Sequence, residues 1–132
     1  MKLKIIILFV SLTLLISQNG CKQTTEPASL DMYVLYEIES AFQEDSVKLT
    51  LDDKILLESK VTTNYTVSLA WSSGLQKLSR TSHKINFAVV EYGVERDFYI
   101  EATNDTSSVL IRFDKETELI SFQQIRGKIL RD

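Results

Sequence analysis

Of the side chains that carry most enzymatic chemistry, this sequence of 132 residues holds a single histidine and a single cysteine. His83 is the only imidazole, and hydroxyls at Ser79, Thr81 and Ser82 stand close to it along the chain. As a general base it would need a nucleophile and an orienting acid brought to it in space. No G-x-S-x-G motif is present, so His83 is read as a strand-entry residue whose ring hydrogen-bonds a backbone carbonyl. Carboxylates cluster as Glu44 with Asp45, Asp52 with Asp53, Asp105, and Asp114 with Glu116. Two of them could serve glycoside hydrolysis, a reaction defined by their separation in space. Turn chemistry explains each Asp more simply, since its side chain bonds nearby backbone N–H groups. Calcium requires six or more oxygens, and no D-x-[DN]-x-[DN]-G loop supplies them. Neither a metal site nor a cofactor is expected, and a small hydrolase using His83 or loop carboxylates is the alternative function.

Binding has better candidates. Trp71, Tyr65 and Tyr92, with Tyr33, are the aromatics able to present a large amphipathic ring at low entropic cost. Trp71 precedes Ser72-Ser73-Gly74 and would then sit at a loop tip; the competing reading packs it between two sheets. The partner expected for such residues is a protein or a glycan. Lys+Arg 15 against Asp+Glu 18 gives a net charge of −3, which argues against nucleic acid. One Cys rules out an internal disulfide and any multi-cysteine zinc or iron–sulfur site.

The elements that would hold these residues read as strands. Met32, Val34, Tyr36 and Ile38 alternate with Tyr33, Leu35, Glu37 and Glu39, the pattern of a half-buried strand. Leu30, Val34, Ile38 and Phe42 also fall four apart, as in a helix, but the Tyr and Val content favours strand. Residues 47–51 alternate, 52–54 turn, and 55–61 return as a hairpin partner. A further strand is expected over 65–71, ending at the loop signal Ser72-Ser73-Gly74. Residues 84–92, apolar on both sides, read as an interior strand that Gly93 breaks before 94–102. Residues 109–113 and 118–125, joined across 114–117, form the clearest hairpin. Seven or eight short strands predict an all-β fold, an antiparallel β-sandwich over residues 31–132.

Two segments carry a resemblance. Val47-Lys-Leu-Thr-Leu-Asp-Asp-Lys54 is similar to the strand-turn opening "V-x-V-x-L-D-G-K" of many bacterial surface β-modules. Leu78-Ser-Arg-Thr-Ser-His83-Lys-Ile-Asn-Phe87 looks like their later strand entry "L-x-x-G-x-H-x-I-x-V", with Ser82 near the position of the Gly. These immunoglobulin-like or prealbumin-like modules serve adhesion, carbohydrate binding and spacing, so the resemblance implies an immunoglobulin-like sandwich more than any one function.

Ahead of this body, Met-Lys-Leu-Lys precedes a run over 5–16 interrupted only by Ser11 and Thr13. Basic residues before a short apolar run make a signal peptide; a spanning helix needs about 20 apolar residues. Residues 1–20 are read as that leader, a helix removed on export. Ser17-Gln-Asn-Gly20-Cys21 follows it, and Cys21 is the lone cysteine. An exported chain with its one Cys here resembles the bacterial lipoproteins, in which the thiol receives a diacylglycerol and the new amino terminus is acylated. Gly20 fits the small residue that family places before the Cys, while Gln18 departs from its usual Leu-like residue. The resemblance implies a protein held on the cell envelope, at the outer membrane, through lipid on Cys21, with 21–30 as a polar tether. Losing Lys2 and Lys4 leaves 13 bases against 18 acids, a mature charge of −5. Two or three acyl chains hold firmly where one holds only reversibly. Cys21→Ala is therefore expected to move the full-length product out of the membrane fraction, and a variant that still sediments with membranes overturns the anchor.

Overall fold

Eight strands follow one another with short connections: β1 (Met32–Glu39), β2 (Asp45–Leu51), β3 (Lys54–Val61), β4 (Trp71–Leu78), β5 (His83–Val89), β6 (Val94–Ile100), β7 (Ser107–Asp114) and β8 (Leu119–Arg126). The computed structural model describes residues 31–101 and 106–127. The leader 1–20, Cys21, the tether 21–30 and Asp105 lie outside the described residues. The strands make two four-stranded sheets, β4-β1-β7-β8 and β3-β2-β5-β6. The fold is all-β and sandwich-like.

Period-two patterning decides which residues meet between the sheets. Met32, Val34, Tyr36 and Ile38 of β1 join Val109, Ile111 and Phe113 of β7 in one core with Val47, Leu49 and Leu51 of β2 and Ile85, Phe87 and Val89 of β5. β1 and β5 are thus strands, not helices, because their apolar residues recur every second position rather than every fourth. One side of the sandwich is sealed where β6 meets β8. Phe98 stacks on Phe122 at 5.0 Å, Arg96 Nη1 donates to Ile120 O at 2.5 Å, and Gln124 bonds the Glu101 backbone twice, at 2.9 and 3.0 Å.

Four expectations are corrected. The sandwich is not wholly antiparallel: β1 runs parallel to β7, with Glu37 beside Leu110 and Glu39 beside Arg112. The strand expected over 65–71 is instead a turn region, bridged only between Asn64 and Leu69. Asn64 Oδ1 accepts the Thr66 N–H at 3.0 Å, the side-chain turn mimicry that Asn offers. The supposed loop Ser72-Ser73-Gly74 lies inside β4. Leu35 pairs with Leu75 and Glu37 with Ser72, so Ser73 and Gly74 together oppose Tyr36. That is a β-bulge, which explains a glycine that reads as a breaker. The extra residue would leave the Tyr36 N–H without a ladder partner, and Ser73 Oγ accepts it at 3.0 Å. The run over 84–92 also ends early, since Val90–Tyr92 form a 3-10 turn before Gly93 at φ 64°.

The two ends of the sandwich differ. β1 begins at the proximal end, which also holds the β2–β3 turn and the β4–β5 connection. The distal end holds residues 40–44, 62–70, the 3-10 turn and the β7–β8 loop.

Gly74 sits at φ 67°, with nothing within 4 Å of where a Cβ would stand. Gly74→Ala is therefore expected to cost about 1–2 kcal/mol through backbone conformation alone. Ser73→Ala, which orphans the Tyr36 N–H, is expected to cost about 1–3 kcal/mol. Urea midpoints at unchanged m-value measure both, and a neutral Gly74→Ala would contradict the bulge geometry.

Candidate functional site

At the proximal end, Asp52 and Asp53 form a two-residue hairpin turn with both φ values positive, 46° and 64°. That backbone matches the right-handed twist of the strands, and Asp tolerates it better than most residues. Bonds to β5 hold Asp52 there. Its N–H donates to Lys84 O at 2.9 Å, and its Oδ1 accepts the Lys84 N–H at 3.0 Å. Oδ2 lies 2.6 Å from Nδ1 of His83. The other ring nitrogen, Nε2, is 2.8 Å from Ser79 O and 3.4 Å from Thr81 Oγ1.

An acid, an imidazole and a hydroxyl therefore stand in line, the order a hydrolase would use. The protons argue otherwise. A carbonyl and a carboxylate can only accept, so both ring nitrogens carry hydrogen and the imidazolium is the form that fits. Burial by itself would pull the His83 pKa down, but the bonds to Asp52 and Ser79, with the Asp52 charge, outweigh it and raise it. Asp52 is held below the usual carboxylate range by the His83 bond and the Lys84 N–H. With Nδ1 facing the Asp52 carboxylate and Nε2 facing a backbone carbonyl, neither ring nitrogen aims a lone pair at the Thr81 hydroxyl. His83 does bond a backbone carbonyl at the entry of β5, and an acid turn comes with it.

The other carboxylates do not converge on His83. Asp114 accepts the N–H groups of Glu116 and Thr117 at 2.9 and 3.2 Å, shaping the β7–β8 loop. Asp45 accepts the Gln43 N–H at 2.7 Å and Lys115 Nζ at 2.6 Å. The Lys115 pKa is raised chiefly by that bond. No group of three or more His, Cys, Asp or Glu side chains among the described residues is placed to hold a metal.

The three candidate aromatics all lie toward the distal end, in unequal circumstances. Trp71 opens β4 opposite Ile38, half-buried and packed on the core. The reading that placed it between the sheets describes it better than a loop tip does. Tyr92, also half-buried, lays its ring edge-on to Phe113 at 4.9 Å, and Lys115 Nζ stands 6.0 Å from the ring centre. Tyr65 is the one presented to solvent, 62% exposed, its hydroxyl 3.5 Å from Gln43 Nε2.

Around Tyr65 lies a shallow groove of about 320 Å³, whose polar lining includes Glu39, Ser40, Thr63, Ser68 and Arg112. Arg112 Nε donates to Glu39 Oε2 at 2.7 Å, a pair the parallel β1–β7 register sets side by side. Ser40 adopts φ 143°, rare for a residue with a Cβ. Its Oγ accepts the Phe113 N–H at 2.7 Å, and its carbonyl accepts the Phe42 N–H at 3.0 Å and the Thr63 hydroxyl. A second groove of about 670 Å³ shares Ser40 and Arg112 and runs over the β7–β8 loop. Sequence reading missed Glu39, Ser40 and Arg112. The only local signal is Arg112, a cation inside the apolar run 109–113.

The chain matches no model of a known protein family, and no curated protein matches it.

The clamp has a pH signature. His83, with its pKa raised above the unfolded 6.5, contributes stability that is full below 6.5 and lost as pH rises through the folded value. Asp52, lowered from 3.8, contributes above 3.8 and loses it as pH falls through its folded value. Both terms are present between 3.8 and 6.5. Because Asp52 is half exposed, His83→Gln is expected to cost only about 1 kcal/mol near pH 5.5. Wild-type and variant melting curves should converge as pH rises through the folded pKa of His83, and a gap independent of pH would refute the charged clamp.

Proposed function

We propose that this chain is a lipid-anchored protein of the bacterial cell envelope, at the outer membrane, that works by binding an envelope protein or glycan rather than by catalysis. Cys21 is the lipidation site, 21–30 the tether, and the distal end the binding face. The observation that carries the reading is the polarity of the sandwich. β1 starts at the proximal end, and Tyr65, with the grooves beside it, lies at the other. Ten residues separate Cys21 from Met32, a reach of at most about 35 Å. A strand of eight residues adds roughly 25 Å beyond that. A chain anchored at Cys21 would thus turn its His83 end toward the lipid and its Tyr65 end toward solvent.

For the fold, the prealbumin-like member of the two resembling modules has the better support. An immunoglobulin constant domain divides seven strands four and three, its first sheet ordered one-two-five-four. The four-and-four division and the β4-β1-β7-β8 order differ from it.

The binding face is tested by placing a photo-crosslinking residue at exposed Leu119, beside the larger groove, or at exposed Tyr99 on β6. Envelope adducts are expected from position 119 and not from 99. Equal capture at both, or capture at 99 alone, overturns the distal face.

A further inference from the structure

We infer that the distal groove takes a neutral oligosaccharide, which rests on the reading of the distal end as the binding face. The first argument is charge. Arg112 and Lys115 line the joined grooves together with Glu39, Asp114 and Glu116. Both cations are already paired, Arg112 with Glu39 and Lys115 with Asp45. A site selected for phosphate or carboxylate would leave its Arg and Lys turned to the ligand, since charge-assisted bonds supply most of such affinity. With Asp114 and Glu116 also on the lining, the grooves carry more acid than base, which disfavours an anionic ligand and suits an uncharged polyol.

The second argument is the kind of bonds left over. Arg112 has five N–H donors in a fixed fork, of which Nε serves Glu39 and one Nη1 reaches Gln123 at 3.5 Å. Neighbouring hydroxyls of a sugar ring can each accept, so the remaining donors of the Arg112 fork can meet two of them at once. The exposed Ser68 hydroxyl lies on the same lining.

The third argument is Tyr65. The residue is 62% exposed and lines the groove, so the apolar C–H face of a pyranose can lie on its ring. A protein partner is a poorer fit. The centres of protein interfaces are depleted of charged residues and anchored by side chains in desolvated pockets, whereas this groove is shallow and has an ion pair on its lining. The rare φ of Ser40 is held by three hydrogen bonds at the point where the two grooves meet. Ser40 is thus tied in place without a ligand, which lowers the ordering cost of binding.

The test uses full-length protein in lipid nanodiscs, with maltohexaose, cellohexaose and chitohexaose as neutral probes and hexagalacturonate as the anionic comparator. Saturation-transfer NMR and calorimetry read binding. At least one neutral hexamer is expected to bind. Tyr65→Ala should weaken it by about tenfold or more, Tyr65→Phe should retain it within about threefold, and Tyr99→Ala should leave it unchanged. Unchanged melting temperatures of these surface variants separate lost binding from lost fold. The inference is overturned if no neutral hexamer binds, if hexagalacturonate binds more tightly, or if Tyr65→Ala has no effect. Should crosslinking at position 119 capture an envelope protein while the sugars fail, the distal face survives and only the saccharide falls. Should positions 119 and 99 capture alike, the binding-face reading itself fails.

Discussion

The parallel pairing of β1 with β7 is the contact on which the rest of the molecule depends. It joins residues 73 apart in sequence, as in the Arg112–Glu39 pair and the bond from Phe113 N–H to Ser40 Oγ. Without it, β1 with β4 and β7 with β8 would be two ribbons, neither wide enough to cover the β2–β5 face. With it, Val34, Tyr36 and Ile38 lie next to Val109, Ile111 and Phe113 as one surface. Such a contact forms only after a long loop has closed, so the chain pays its conformational entropy before the core rewards it.

The ends of the sandwich are stabilised by different means. Proximally, a turn with two left-handed aspartates is tied to the next strand by backbone bonds and a charged ring. Distally, the Lys115–Asp45 pair lies over aromatic packing of Phe42, Tyr92 and Phe113, with Phe42 and Phe113 centroids 6.2 Å apart. Ser40 lines the groove and also bonds Phe113 and Phe42 of the core. Its hydroxyl accepts the Phe113 N–H, and its carbonyl accepts the Phe42 N–H and the Thr63 hydroxyl, just beyond the end of β1. The shape of the groove and the closure of the fold at that end therefore involve the same residue.

How much of this was legible in the sequence follows from the range of each interaction. The β2–β3 and β7–β8 hairpins are local; Asp114 caps the N–H groups of Glu116 and Thr117 two and three residues on, so residue types alone indicate the turn. The alternation of β1 is equally local. The bulge in β4 was not legible, because Gly74 has the same residue type whether it ends a strand or widens one, and only pairing with Leu35 and Glu37 distinguishes them. Trp71 was ambiguous for the same reason. The parallel register was invisible, since nothing in residues 32–39 names residues 107–114 as neighbours. The groove draws Arg112, Glu39 and Tyr65 from three segments, and no spacing rule connects them.

The sandwich is lopsided in how it treats its borders. Both register shifts fall on β4 and β3, where Ser73-Gly74 oppose Tyr36 and the extra residue Leu56 sits between the Leu49–Leu57 and Thr50–Ile55 pairs. These are the two edge strands opposite the sealed β6–β8 side. A strand with an extra residue twists away from a flat line and spoils the even row of N–H and C=O groups that another chain would need in order to add to it. Lys54, Lys60 and Lys77 place charges on the same two strands. The border left open by the packing is thus the one made irregular and charged. Molecules crowded side by side can slide past one another there without zipping into a continuous sheet.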